Sequence, residues 1–198
     1  MISGAASDGF EWFHGMRFVA GMAALVYFRA EFRSLNWRVS WFAPVAGALV
    51  FVLWIAFDRL QDSNNADHAL AASLAGMSTT ADYSWIVFRV AAATITAPLV
   101  EELAFRGFAL RGFALRRLTA TGFETIAFHC VTPFAILASS LLFGCLHGDR
   151  WLPAALAGAV YALCLRARGR MGDAVAAHAA TNAALAAWVM ARGAWHLW

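Results

Sequence analysis

The stretch APLVEELAFR at residues 97–106 places two adjacent acids, Glu101 and Glu102, among leucine, valine, alanine and phenylalanine. A charge at the centre of a membrane helix costs about 2.5–3.5 kcal/mol on insertion scales, and such residues usually have a function. Two further apolar segments carry polar groups: FGCLH at residues 143–147 and HAATN at residues 178–182. Most of what the sequence says about function lies in these three segments.

The surroundings of these segments are strongly apolar. Of the 198 residues, 62% are hydrophobic and 14% are charged, whereas about 25% of the residues in a soluble domain are charged. Six predominantly apolar segments are candidate membrane helices. They are residues 14–30, 41–57, 83–110, 130–146, 151–165 and 174–191. We therefore predict an all-α fold, a polytopic helix bundle with about six transmembrane helices in the lipid bilayer.

One long polar stretch, residues 58–82, interrupts this series. We expect it to close an N-terminal two-helix membrane region, residues 1–83. Residues 84–198 are then expected to form the helix bundle that carries the three polar segments. Within the polar stretch, residues 66–77 are predicted to form a short surface helix.

The arginine distribution predicts the orientation of the bundle. All 15 basic residues are arginine, and the net charge of +3 is small, so we predict no nucleic-acid partner. The third and fifth connections each carry three arginines, and so does the first when Arg29 at the end of the preceding segment is included, whereas the second and fourth carry only Arg59 and Arg150. Since cytoplasmic loops are enriched in basic residues, both termini are predicted to lie outside. This orientation puts His147 near the outer face and His178 near the inner face, so a shared site requires short, tilted or re-entrant segments.

Helix geometry predicts different directions, and so different roles, for the two adjacent acids. Adjacent helical residues point about 100° apart, so Glu101 and Glu102 cannot share one face. Arg106 follows Glu102 by four residues, the spacing of a helical ion pair. We expect Glu102 to pair with Arg106, and Glu101 to face the bundle interior, where a carboxylate can act as a general base on water. The alternative is a solvated helix face.

The two histidine segments have the same helical spacing. His178 and Asn182 project from one face of the last predicted helix. They offer donors to a developing oxyanion, or they form hydrogen bonds between helices. His147 could hold a water against Glu101, or it is an interfacial histidine. Phe143, one turn before His147, is expected to pack beside it.

Taken together, the motifs resemble the CPBP family, the CAAX-processing and bacteriocin-processing intramembrane proteases that include the type II CAAX prenyl endopeptidases. The motifs are EExxxR at residues 101–106, FxxxH at 143–147 and HxxxN at 178–182. The resemblance covers roughly residues 84–192. Each motif alone is loose, but three in order on separate apolar helices are specific. The first half of the chain is similar to a bacterial subgroup, the CAAX prenyl protease-related proteins associated with exosortase systems.

The resemblance implies an intramembrane endopeptidase of the bacterial inner membrane that cleaves a membrane-associated peptide or protein, with a site near the substrate's C-terminus as one option. Glu101 with His147 would activate water, and His178 with Asn182 would form the oxyanion site. The implied supporting residues are Glu102, Arg106 and Phe143. No cofactor is expected.

Other hypotheses use the same polar residues. Glu101, His147 and His178 could hold zinc with water as the fourth ligand, although the sequence lacks the HExxH motif of many zinc proteases. The chain could instead be a non-catalytic immunity or assembly protein that binds a partner in the membrane. A proton-coupled carrier could also use buried glutamate and histidine, but no inverted repeat supports it.

Overall fold

The computed structural model describes residues 14–60, 76, 79–115 and 126–198, and the regular structure within these ranges is helical. The α-helical elements are α1 (His14–Tyr27), α2 (Arg29–Phe32), α3 (Phe42–Asp58), α4 (79–115), α5 (Pro133–Cys145), α6 (Trp151–Arg168) and α7 (Met171–Arg192). The predicted all-α fold is confirmed. The predicted surface helix at residues 66–77 lies outside the described residues, apart from Gly76.

The helices differ in their ability to cross a bilayer. Within the described chain, Asp82–Ala114 of α4 and the whole of α7 are long and apolar enough to span a membrane. Helices α3 and α5 are apolar but shorter, with 17 and 13 residues. At 1.5 Å per residue, α5 is about 20 Å long, less than the roughly 30 Å hydrocarbon core. The number of six spans stays a prediction.

Helix α4 is continuous but not regular. Its five consecutive segments are α-helical Thr79–Ala91, π-helical Ala92–Thr96, α-helical Ala97–Glu102, π-helical Leu103–Ala109 and α-helical Leu110–Leu115. In the first π segment, the Ala97 N–H donates to the carbonyl of Ala92. The next residue, Pro98, has no N–H. The carbonyl of Ala93 therefore has no backbone donor from either Ala97 or Pro98, and it must be satisfied from outside the helix.

The helices pack around α7. Helix α3 lies against α7, α5 and α6 form a hairpin, and α1 lies against the first half of α4. Small residues on α6 and α7 are fully buried, and they allow the helix backbones to approach closely. They are Ala154, Ala162, Ala174 and Ala177.

The contact between α3 and α7 depends on Gly47. A Cβ atom at this position would lie 2.3 Å from the Ala177 carbonyl oxygen. The absent side chain lets Thr181 Oγ1 donate to the Gly47 carbonyl at 2.9 Å. At the start of α7, buried Asp173 accepts the backbone N–H of Ser40 at 2.6 Å. These bonds join the two predicted regions, and the division at residue 83 stays a prediction.

Candidate active site

A cavity of about 190 Å³ lies between α3, α4, α5, α6 and α7. Its lining includes Glu101, His147, His178 and Asn182, so the structure brings all four predicted catalytic residues to one place. We call this space the central cavity. His147 reaches it because α5 is short and ends at Cys145, two residues earlier.

The predicted ion pair is present and fully buried. The side chains of Glu102 and Arg106 are 0% and 1% exposed, and Arg106 Nε lies 3.0 Å from Glu102 Oε2. Arg106 Nη2 also donates to the carbonyl of Gly158 on α6 at 2.9 Å. The guanidinium lies 4.7 Å from the ring centre of Phe143. Arg106 therefore connects α4 to both α5 and α6.

Gly158 makes room for this guanidinium. A Cβ atom at Gly158 would lie 3.2 Å from Arg106 Nη2 and 3.3 Å from Phe143 Cδ1. A side chain here would push the guanidinium away from the carbonyl that it binds. The backbone of α6 is thus part of the support for the acid pair.

The buried carboxylate of Glu102 also fixes His178. His178 Nδ1 lies 2.9 Å from Glu102 Oε1. Because a carboxylate can only accept, the proton of this hydrogen bond is on Nδ1, which leaves Nε2 as the acceptor of the neutral ring. His178 Nε2 faces Glu101, whose Oε2 is 3.9 Å away, too far for a hydrogen bond.

Two residues to which the sequence analysis assigned no role, Tyr161 and Thr181, support the ring of His178. The Tyr161 ring stacks on the His178 ring, with centroids 4.8 Å apart and planes at 14°. The Tyr161 hydroxyl donates to Thr181 Oγ1 at 2.8 Å. In the sequence, this contact is indicated only by a polar hydroxyl group, that of Tyr161, within the apolar run AGAVYALC at residues 157–164.

His147 has its donor side occupied in the same way. Its Nδ1 donates to the Phe143 carbonyl at 2.8 Å, so Nε2 is the acceptor of the neutral ring. The expected packing of Phe143 beside His147 is present, with ring centroids 4.5 Å apart. The Phe143 ring also lies 5.9 Å from the His178 ring. Phe143 thus separates the two histidines and sets their spacing.

Asn182 satisfies the carbonyl that Pro98 leaves without a donor. Its Nδ2 donates to the Ala93 oxygen at 2.7 Å. The hydrogen bond ties α7 to the first π segment of α4. An amide has two N–H groups, so a second one remains beside this contact.

Glu101 differs from its neighbour in environment. Its side chain is 34% exposed, so it lies at the edge of the cavity rather than in the closed interior that we expected. It also lines an apolar groove of about 420 Å³ between α1 and α4, whose other walls include Phe18, Thr96 and Val100. The apolar groove and the central cavity share Arg89, Ala93 and Glu101. Glu101 therefore stands where the two spaces meet.

The zinc alternative needs three ligands in one cluster. Across the ranges that the structure describes, no three His, Cys, Asp or Glu side chains are close enough together to hold a metal ion. Glu101, His147 and His178 share the cavity, and their donors for a metal would be the carboxylate and the two Nε2 atoms.

Comparison with known proteins adds the decisive observation. The family model for type II CAAX prenyl endopeptidase Rce1-like proteins matches residues 83–184, about half of the chain. The chain belongs to this family. The Rce1-like family is one of membrane proteases, which confirms the predicted family and the coarse assignment as a membrane endopeptidase. No curated protein and no solved structure matches the chain.

The Rce1-like match covers all three motifs and both π segments of α4. It does not reach α1, α2 or α3, on which the similarity to the exosortase-associated subgroup depended. That subgroup therefore has no support from the match. Residues 185–198 also lie outside it, although the last of them line the central cavity.

Proposed function

We propose that this protein hydrolyses a peptide bond in a membrane-associated peptide or protein, with a water molecule activated by Glu101. The observation that carries this proposal is the position of Glu101. Glu101 lines both an apolar groove and a cavity that contains two histidines. A carboxylate on the border of a groove and a polar cavity can meet both a bound chain and a water.

In the proposed reaction, Glu101 takes a proton from the water while the water oxygen attacks the scissile carbonyl carbon. His147 Nε2 accepts the second hydrogen of the water and holds it in place, since its Nδ1 is bound to the Phe143 carbonyl. The carbon–nitrogen bond then breaks, and Glu101 returns the proton to the leaving amine. Glu102 and Arg106 hold the helix that carries Glu101.

The oxyanion would be held by His178 and Asn182. Neutral His178 has its single N–H on the Glu102 side, so it donates into the cavity only when Nε2 is also protonated. Asn182 would contribute its second amide N–H, while the first remains bound to Ala93. The orientations of the His178 ring and the Asn182 amide are therefore fixed before the substrate arrives.

We also propose that cleavage occurs near the C-terminus of the substrate. The Rce1-like match, to a family of type II CAAX prenyl endopeptidases, supports this position. We also propose that the protein lies in the bacterial inner membrane with both termini outside. An exosortase-system association rests only on the resemblance of the first half of the chain.

The proposal is tested in cells that make wild-type or Glu101→Gln protein at matched levels. Peptides of the membrane fraction are compared by mass spectrometry, and we expect a set of new termini with the wild type alone. These termini would also identify the substrate. The experiment is done in the native host, where the substrate is present. If wild-type and Glu101→Gln proteins are both folded and inserted but give the same set of peptide termini, the partner-binding alternative is favoured.

A second candidate is a zinc-dependent endopeptidase. It is favoured by one feature: His147 and His178 line the same cavity, and each has Nδ1 in a hydrogen bond, which leaves Nε2 as the acceptor, as in metal-binding imidazoles. Metal content of the purified protein and the effect of chelators on cleavage distinguish the two mechanisms. Glutamate-activated water predicts full activity without bound zinc.

A further inference from the structure

One wall of the central cavity is not formed by a long helix. Leu197 and Trp198 line the cavity beside Glu101, His147 and His178. They belong to the short segment 195–198, which follows the end of α7 and contains the 3-10 helix Trp195–Leu197. We call this segment the end wall. The other lining residues belong to α3, α4, α5, α6 and α7, apart from His147, which lies two residues after the end of α5.

The end wall is fastened by a charged cluster at the end of α3. Asp58 Oδ2 lies 2.9 Å from His196 Nε2, and Asp58 Oδ1 accepts Arg150 Nη1 at 2.8 Å. Arg150 Nη2 donates to the His196 carbonyl at 3.3 Å. The three side chains are 11–20% exposed, so solvent screens the interactions only in part. We call these residues the Asp58 cluster.

Aromatic contacts hold the same segment against α4. The Trp198 ring lies 6.1 Å from the Trp85 ring and 5.5 Å from the Trp195 ring. The guanidinium of Arg89 contacts both Trp85 and Trp198. The end wall is therefore attached at two sites, one charged and one aromatic, and both lie outside the predicted catalytic residues.

The central cavity is small, so the position of the end wall affects how much of a substrate the cavity can hold. Sites for drug-sized ligands usually have about 300–1,000 Å³, whereas this cavity has about 190 Å³. A peptide that is cleaved at Glu101 must extend to both sides of the scissile bond. The apolar groove offers about 420 Å³ on one side, and the smaller, partly open central cavity offers about 190 Å³ on the other side.

We propose that the end wall determines specificity by limiting the substrate beyond the scissile bond to a short chain end, and that Asp58 is the residue that positions it. The limit on substrate length rests on the proposed function. The closure of this one side of the cavity by the end wall, held by the Asp58 cluster, does not, because it can be measured without any cleavage.

The closure is tested by thiol labelling. Leu185 lines the cavity, and Leu185→Cys is placed in a background in which Cys130, Cys145 and Cys164 are replaced by serine or alanine. N-ethylmaleimide should label this thiol slowly in the folded, detergent-solubilised protein. Asp58→Asn should raise the labelling rate about tenfold or more, because hydrogen bonds to a charged group are lost.

Asp149→Asn is the matched control, because Asp149 is exposed in the 3-10 helix Gly148–Arg150 that also carries Arg150. It should leave the labelling rate unchanged. If Asp58→Asn does not fold, His196→Ala releases the same contact and replaces it. Equal labelling rates in wild-type, Asp58→Asn and His196→Ala proteins of equal thermal stability would overturn the role of the cluster.

The specificity is tested with peptides that carry the cleavage site followed by one to eight residues. The wild type should lose cleavage efficiency as this tail grows, mainly through KM. Leu197→Ala and Asp58→Asn should raise the ratio of long-tail to short-tail kcat/KM about tenfold. An unchanged ratio would overturn the specificity claim, whereas a complete absence of cleavage combined with faster labelling would contradict the proposed function and leave the closure established.

Discussion

At the scale of single residues, the two adjacent acids have opposite environments. Glu102 is fully buried and contacts both Arg106 and His178, whereas the side chain of Glu101 is 34% exposed and lies between the cavity and the groove. The rotation of about 100° between neighbouring helix positions produces this division. Glu102 is thus suited to stabilise the fold, and Glu101 is suited to react.

The division predicts different effects of two similar substitutions. Glu102→Gln leaves the buried guanidinium of Arg106 without its counter-charge, and breaking one side of a buried pair costs about 3–5 kcal/mol. We expect a clear fall in the unfolding temperature of Glu102→Gln in detergent. Glu101→Gln, the matched control at the next position, should unfold at the wild-type temperature. Equal stability of the two variants would contradict the assigned roles.

The sequence predicts local pairs better than distant ones. Glu102 and Arg106 are four positions apart on one helix, so their pairing follows from helix geometry alone. The partner of Glu102 on α7, His178, is 76 positions away, and Asn182 and Ala93 are 89 positions apart. Those contacts depend on how the helices pack, which motif spacing does not contain.

At the scale of elements, the irregularity of α4 explains how the site is assembled. Two π segments flank the α-helical turn that carries the acids, and π-helical insertions are frequent at functional sites. The missing N–H of Pro98 and the shifted bond of Ala97 leave the Ala93 carbonyl for Asn182. The sequence contains Pro98 but does not predict the π-helical geometry, because that geometry depends on the contact of α4 with α7.

The close contact of α3 with α7 predicts a position that cannot take a methyl group. Gly47→Ala would bring Cβ to 2.3 Å from the Ala177 oxygen and weaken the Thr181 hydrogen bond. Overpacking of this kind costs about 1–3 kcal/mol, so we expect a lower unfolding temperature. Gly112→Ala is the control, since its Cβ would meet nothing within 4 Å. A Gly47→Ala protein as stable as the control would contradict the close contact.

At the scale of the whole molecule, both halves of the chain build the site. The second half carries the motifs and the Rce1-like match, and their family could be predicted from three spaced patterns. The first half supplies Trp54 to the cavity, the Gly47 carbonyl to Thr181 and Asp58 to the end wall. No sequence motif indicated these contributions, because single tryptophan, glycine and acidic residues are common in apolar helices.

The orientation of the molecule is a separate prediction. A cysteine is introduced at residues 62–68 of a variant that lacks the three native cysteines. The positive-inside rule places this segment outside, so a membrane-impermeant maleimide should label it in right-side-out vesicles. A cysteine in the arginine-rich first connection, residues 31–40, is the control and should react only in inverted vesicles. The reverse labelling pattern would contradict the orientation.

The central claim is that Glu101 activates the water that cleaves the substrate. Its most direct test is the kcat/KM of purified wild-type and Glu101→Gln protein in detergent, with a peptide that contains the cleavage site identified in cells. Loss of a general base reduces the rate about 10²–10⁴-fold. We predict a loss of this size or greater, with an unchanged unfolding temperature. Cleavage by folded Glu101→Gln at the wild-type rate would contradict the account.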